Sequence, residues 1–138
     1  MEEPLTAREE ARPQDEGGET VLLVDDEPQV REVMSHLLRG QGYRVIEASN
    51  GHEALRLSQE PGIELDLLLT DIAMPLMGGK ELADRLTQMH PRTKVLYTSG
   101  YTDDAIVQHG VLEPGTEFVQ KPFTRAVLAR KVREVLDK

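Results

Sequence analysis

The stretch VLLVDDEP, residues 21–28, joins the end of one element to the start of another. Val21–Val24 is a short unbroken apolar run, the pattern of a strand buried on both faces. Two aspartates stop it. Pro28 then suits a first helical turn, where its missing N–H would have had no partner anyway. Val30, Val33, Met34, Leu37 and Leu38 follow at i, i+3, i+4, i+7 and i+8, so the spacing predicts a helix with these five residues facing a core. Gly40 and Gly42 close it.

Outward from this unit the same alternation repeats. Tyr43–Glu47 (YRVIE) mixes polar and β-branched residues, as an edge strand should. Asn50-Gly51 opens a second helix through about Gln59, broken by Pro61-Gly62. Leu65–Thr70 is a strongly apolar strand leading into Asp71. Gly78-Gly79 precede a helix that turns Leu82, Ala83 and Leu86 inward and stops near Pro91. Lys94–Thr98 reads as a fourth strand, 102–109 as a short fourth helix, and Pro114-Gly115 as a turn into a fifth strand near Thr116–Val119. The last helix, Thr124–Leu136, carries Leu128, Val132, Val135 and Leu136 on one face.

Five strands alternating with five helices imply right-handed crossovers and a parallel sheet covered on both sides. The first, third and fourth strands are the most apolar, which predicts the order 2-1-3-4-5 with the polar strands at the edges. The expected fold is therefore α/β, a doubly wound, flavodoxin-like (βα)5 arrangement.

Composition narrows the function classes. The 138-residue chain has no cysteine, which excludes disulfide scaffolds, thiolate metal sites and cysteine nucleophiles. A formal net charge of −9 argues against a nucleic-acid partner, whose phosphates call for basic residues. No apolar run approaches the ~20 residues of a membrane span, and the acidic N-terminus lacks the core of a signal peptide. Seven of the 25 acidic residues but two of the 16 basic ones fall within residues 1–20. Residues 1–19 are accordingly expected to form a flexible acidic leader or linker, and residues 20–138 the domain.

In such sheets ligands collect at the carboxyl ends of the strands, at the switch point between the first and third. There the sequence puts Asp25-Asp26 with Glu27 beyond, Asp71, Ser99-Gly100 and Lys121-Pro122. Taken singly, an aspartate after a strand is an ordinary helix cap, and Ser-Gly or Lys-Pro is an ordinary loop. Together they put carboxylates, a hydroxyl and an ammonium on one rim. Two carboxylates about 4 Å apart repel by roughly 4 kcal/mol at an effective dielectric near 20, so the cluster calls for a cation. Oxygen donors alone suit a hard ion such as Mg²⁺.

Four stretches, VLLVDDE (21–27), LLLTDIAMPLMGG (67–79), LYTSGY (96–101) and FVQKPF (118–123), make the chain from about Val21 to Leu136 resemble the receiver domain of two-component response regulators. The resemblance implies that Asp71 is the phosphoacceptor. It implies that Asp26 and the Ala73 backbone carbonyl bind Mg²⁺ directly, with Asp71, while Asp25 reaches the ion mainly through water. Ser99 would be the switch hydroxyl, in preference to Thr98, Lys121 the group that pairs with the phosphoryl oxygens, and Phe118 the switch aromatic. The Lys121–Pro122 peptide is expected to be cis. Ala73 and Phe118 stand where a polar side chain and a tyrosine are commoner.

By the same resemblance the phosphoryl donor is a histidine kinase or a histidine phosphotransfer protein. The changed surface is that of the fourth helix, fifth strand and last helix, which could also carry a weak or phosphorylation-dependent dimer. The stretch YTSGYTDDAIVQHGVLEPGTEFVQKPFT (97–124) is similar to receivers at the C-terminal end of hybrid histidine kinases. A cytoplasmic location is expected, with no conventional turnover enzyme and no output domain in these residues. Two other readings fit less well. A haloacid-dehalogenase-like phosphatase would want D-x-D after the first strand, where this chain has D-D-E. A degenerate receiver, acting only as a binding module, would not keep the full acidic pair, acceptor, hydroxyl and lysine.

Overall fold

The computed structural model describes residues 18–100 and 116–138. Among them, β1 (Thr20–Val24), α1 (Pro28–Gly40), β2 (Arg44–Ala48), α2 (Gly51–Ser58), β3 (Leu67–Asp71), α3 (Gly79–Met89), β4 (Lys94–Ser99), β5 (Phe118–Gln120) and α4 (Arg125–Leu136) follow in chain order. The strands form one parallel sheet in the order β2-β1-β3-β4-β5, as the polarity of the strands predicts. The helix expected over 102–109, the residue Tyr101 and residues 1–17 of the expected leader lie outside the described residues.

The pleat explains the continuous apolar runs. Leu22, Val24 and Leu68 face α2 and α3, where they meet Ala54, Leu82 and Leu86. Val21, Leu23, Leu67 and Leu69 alternate to the other face and meet Met34 and Leu38 of α1 with Leu128, Val132 and Val135 of α4. Each central strand thus buries both sets of side chains, which is why β1 and β3 read as unbroken hydrophobic sequence. Asn50 caps α2 by accepting from the Glu53 N–H at 2.8 Å, and Thr124 caps α4 by accepting from the Val127 N–H at 3.1 Å.

One expectation about the core is corrected. Val33 is 59% exposed. It lies about 100° around the helix from Met34, and the buried arc of α1 runs through Met34 and Leu38 to Ser35 instead. Ser35 tolerates burial because its hydroxyl donates to Glu47 Oε2 of β2 at 3.0 Å. Glu19, the last residue of the expected leader, accepts from Arg133 of α4 at 2.7 Å.

Candidate functional site

Parallel pairing of β1 with β3 aligns Val24 with Thr70, so the next residues, Asp25 and Asp71, emerge side by side at the carboxyl edge. Asp25 is wholly buried. Its Oδ1 accepts from the Glu27 N–H at 2.9 Å and its Oδ2 from Lys121 Nζ at 3.1 Å. Lys121 arrives from the end of β5, where its N–H donates to the Ser99 carbonyl at 2.7 Å and its peptide bond to Pro122 is cis. The same ammonium lies 3.5 Å from Asp71 Oδ2 and 3.9 Å from Glu27 Oε1. Asp71 Oδ1 accepts from the Ala73 N–H at 3.3 Å.

Asp25, Asp26 and Asp71 each offer a carboxylate oxygen within 4.8 Å of the others. Asp26 is the most accessible of the three. Among the described residues, one ammonium faces the four carboxylates of Asp25, Asp26, Glu27 and Asp71, which leaves these groups net negative. Burial pushes the Asp71 carboxyl above the usual carboxylate range; the Lys121 ammonium and the Ala73 N–H oppose this, while Asp25 and Asp26 reinforce it. For Lys121, burial favours the neutral amine, but Asp71, Asp25 and Glu27 outweigh it and hold the ammonium charged beyond its ordinary range. The pocket can therefore attract a hard cation with oxygen donors alone.

The hydroxyls at the edge are also unusual. Among the described residues, Ser99 Oγ and Thr98 Oγ1 are buried without a hydrogen-bond partner. Buried hydroxyls of this kind are uncommon because an unmade hydrogen bond costs about 1–3 kcal/mol. Thr98 is the register partner of Asp71 and Ser99 is the last residue of β4. Phe118, beside Tyr97 in the sheet, is 38% exposed. The structure thus gathers Asp25, Asp26, Asp71 and Lys121 directly, brings Ala73 in through its N–H, and sets Ser99 at the adjoining strand end.

Sequence reasoning left Arg31 unmarked. It sits on α1 with its side chain 19% exposed and donates from Nη1 to the Asp25 carbonyl at 2.6 Å. Helical periodicity could not have found it, since Arg31 belongs to neither the apolar stripe nor the outer face.

The model of the response regulator receiver domain family matches residues 21–133. The chain belongs to this family. The receiver is 40% identical over 122 residues to the sensor kinase CckA of Brucella abortus, a match covering 88% of this chain and 13% of that kinase. It is 33% identical to the response regulator receiver protein CpdR of the same organism, over 84% of this chain and 95% of that protein. Among solved structures it is similar to the receiver domain from the hybrid histidine kinase CckA, with a TM-score of 0.71, 32% identity and coverage of 85% of this chain and 98% of that one. The phosphatase reading is not favoured by any of these. No helix among the described residues is long and apolar enough to cross a membrane.

Proposed function

We propose that this receiver, residues 20–138, accepts a phosphoryl group on Asp71 from a phosphohistidine of a histidine kinase or phosphotransfer protein in the cytoplasm, with Mg²⁺ as its cofactor. The observation that carries the reading is the Asp71 carboxylate held 3.5 Å from the Lys121 ammonium among acidic neighbours. Asp71 Oδ attacks phosphorus, the bond from phosphorus to the donor nitrogen breaks, and its electron pair leaves with the imidazole, which takes up a proton. The product is an aspartyl phosphate. Lys121 offsets charge on the phosphoryl oxygens, and the Ala73 N–H orients the acceptor. Asp26, Asp71 and the Ala73 carbonyl are the proposed Mg²⁺ ligands, with Asp25 acting through water; bound there, the ion would supply further neutralisation of phosphoryl charge.

Ser99 is the proposed switch. Its hydroxyl, without a partner among the described residues, is available to a phosphoryl oxygen, and its inward movement would free space for the half-exposed Phe118 ring. The consequence is a changed surface across β5 and α4, open to a downstream protein or to a second receiver. The similarity to a sensor kinase supports a place within a hybrid kinase, and the similarity to CpdR supports a free regulator equally well.

Incubation with acetyl phosphate and Mg²⁺ tests the reading. Intact-mass measurement should show one added phosphoryl group, labile to hydroxylamine and mapping to Asp71. A modification mapping to any other residue would overturn it. Asp26→Ala should remove Mg²⁺ binding and with it phosphorylation while the domain stays folded, as read by calorimetry and circular dichroism.

A further inference from the structure

We infer that Arg31 is a positioning residue for the acidic pocket, an assignment that rests on the proposed Mg²⁺-dependent function. Four contacts carry it. Arg31 Nη1 donates to the main-chain carbonyl of Asp25 at 2.6 Å. Its Nε lies 3.5 Å from Glu47 Oε1 on the edge strand β2. Glu47 is itself held, accepting from Ser35 Oγ at 3.0 Å and lying 3.5 Å from Arg39 Nη2. The guanidinium therefore spans from a braced carboxylate on β2 to the backbone of the acidic turn.

The turn is also held through the Asp25 side chain, by the Glu27 N–H at 2.9 Å and by Lys121 Nζ at 3.1 Å, but neither bond reaches the Asp25 carbonyl. The Asp25 N–H continues the ladder to the Ala48 carbonyl at 3.2 Å, but the chain leaves the sheet immediately afterwards. α1 has no side-chain cap at Glu27. The Asp25 carbonyl belongs to the peptide that carries Asp26, so holding it sets the direction in which the Asp26 side chain departs. A fork of five donors on a planar group suits this double task, and a single ammonium does not.

The sign of the effect separates positioning from simple charge. A guanidinium bound to the acidic turn repels a cation entering the pocket, so its removal should tighten Mg²⁺ binding if charge were its only influence. If Arg31 positions the turn, its removal weakens Mg²⁺ binding. Loss of a group that orients metal ligands commonly costs 10–100-fold in affinity.

The test measures Mg²⁺ affinity by titration calorimetry in the wild type, Arg31→Met, Arg31→Lys and Glu47→Gln. Arg31→Met keeps the apolar stem and should bind Mg²⁺ about tenfold more weakly. Its phosphorylation by acetyl phosphate should slow at limiting Mg²⁺ and recover at saturating Mg²⁺, a recovery that general structural damage would not show. Arg31→Lys should fall between the two, since an ammonium can reach the carbonyl without forking to Glu47, and it serves if the methionine variant does not fold. Glu47→Gln should weaken binding less than Arg31→Met, because the bond to Asp25 survives. Equal or tighter Mg²⁺ binding in the arginine variants overturns this inference alone. A wild type that binds no Mg²⁺ overturns the proposed function and this inference together.

Discussion

Asp71→Asn should take up no phosphoryl group from acetyl phosphate, and in metal-free buffer it should unfold at a higher temperature than the wild type. The two results share one cause. The proposed acceptor, Asp71, has to be a carboxylate to attack phosphorus, yet its site disfavours that charge: burial acts first, and Asp25 and Asp26 add to it, against the opposition of Lys121 and the Ala73 N–H. Asparagine keeps a carbonyl oxygen for the Ala73 N–H and drops the charge. Because the folded-state pKa of Asp71 is raised, its contribution to wild-type stability is fully present below the unfolded value, near 3.9, and is lost as pH rises through the folded value. The advantage of Asp71→Asn should therefore open as pH rises through that range and close in acid. Comparing the two proteins at each pH cancels the other carboxylates, among them Glu19 and Glu53, whose depressed values act in the opposite sense. Mg²⁺ should reverse the order: with the ion at tenfold its dissociation constant, the wild type gains about 1.4 kcal/mol by linkage. Thermal melts of both proteins across pH, with and without Mg²⁺, check every part. A wild type more stable than Asp71→Asn in metal-free buffer at neutral pH would show that Lys121 outweighs burial and repulsion.

This balance depends on residues that differ widely in how openly the sequence declares them. β1 and β3 are plain because both faces of a central parallel strand are buried, leaving no polar residue to obscure the run. The site residues are legible for a related reason: the strand ends are punctuated by Asp25-Asp26, Asp71, Ser99-Gly100 and Lys121-Pro122, and the strand order converts four punctuation marks into one place. Val33 shows where periodicity fails. Five apolar residues at helical spacing describe an arc wider than the one α1 buries, and the polar Ser35 occupies the far side of that arc because Glu47 accepts its hydroxyl hydrogen bond. Arg31 was hidden for a similar reason. Its partners are a main-chain carbonyl and a glutamate on another strand, and a carbonyl leaves no trace in sequence. Thr98 and Ser99 are adjacent hydroxyls, and the sequence prefers Ser99 because it directly precedes the small Gly100; burial does not separate them, since among the described residues both are buried without a partner.

A single methyl group added at two glycines should produce opposite effects, and the larger of these bears on the acceptor itself. Gly79 opens α3 where that helix meets the end of β3, and its N–H donates to the Ile72 carbonyl at 3.0 Å. A Cβ there would lie 2.4 Å from the Asp71 carbonyl oxygen and 2.9 Å from Ile72 Cα. Both neighbours are backbone, so no side chain can swing away. Relief requires α3 to lift or the β3 terminus to shift, and the second displaces Asp71. Gly40, in the last turn of α1, has nothing within 4 Å of the corresponding position. Its replacement by alanine mainly reduces the entropy of the unfolded chain and should stabilise the domain by about 0.5–1 kcal/mol. The same gain operates at Gly79 but is smaller than the overpacking cost, typically 1–3 kcal/mol and sometimes more. Gly79→Ala should therefore be less stable than the wild type by about 2 kcal/mol, with a fall in Tm of several degrees. It should also phosphorylate more slowly at saturating Mg²⁺, because the displaced group is the proposed nucleophile rather than a residue acting through the cation. This separates it from Arg31→Met, whose rate should recover when Mg²⁺ saturates. Denaturant melts of the two alanine variants, with phosphorylation rates on each, provide the comparison. Equal stability of Gly79→Ala and Gly40→Ala would mean that α3 can move off β3 at little cost, and that close packing of this helix does not hold the acceptor in place.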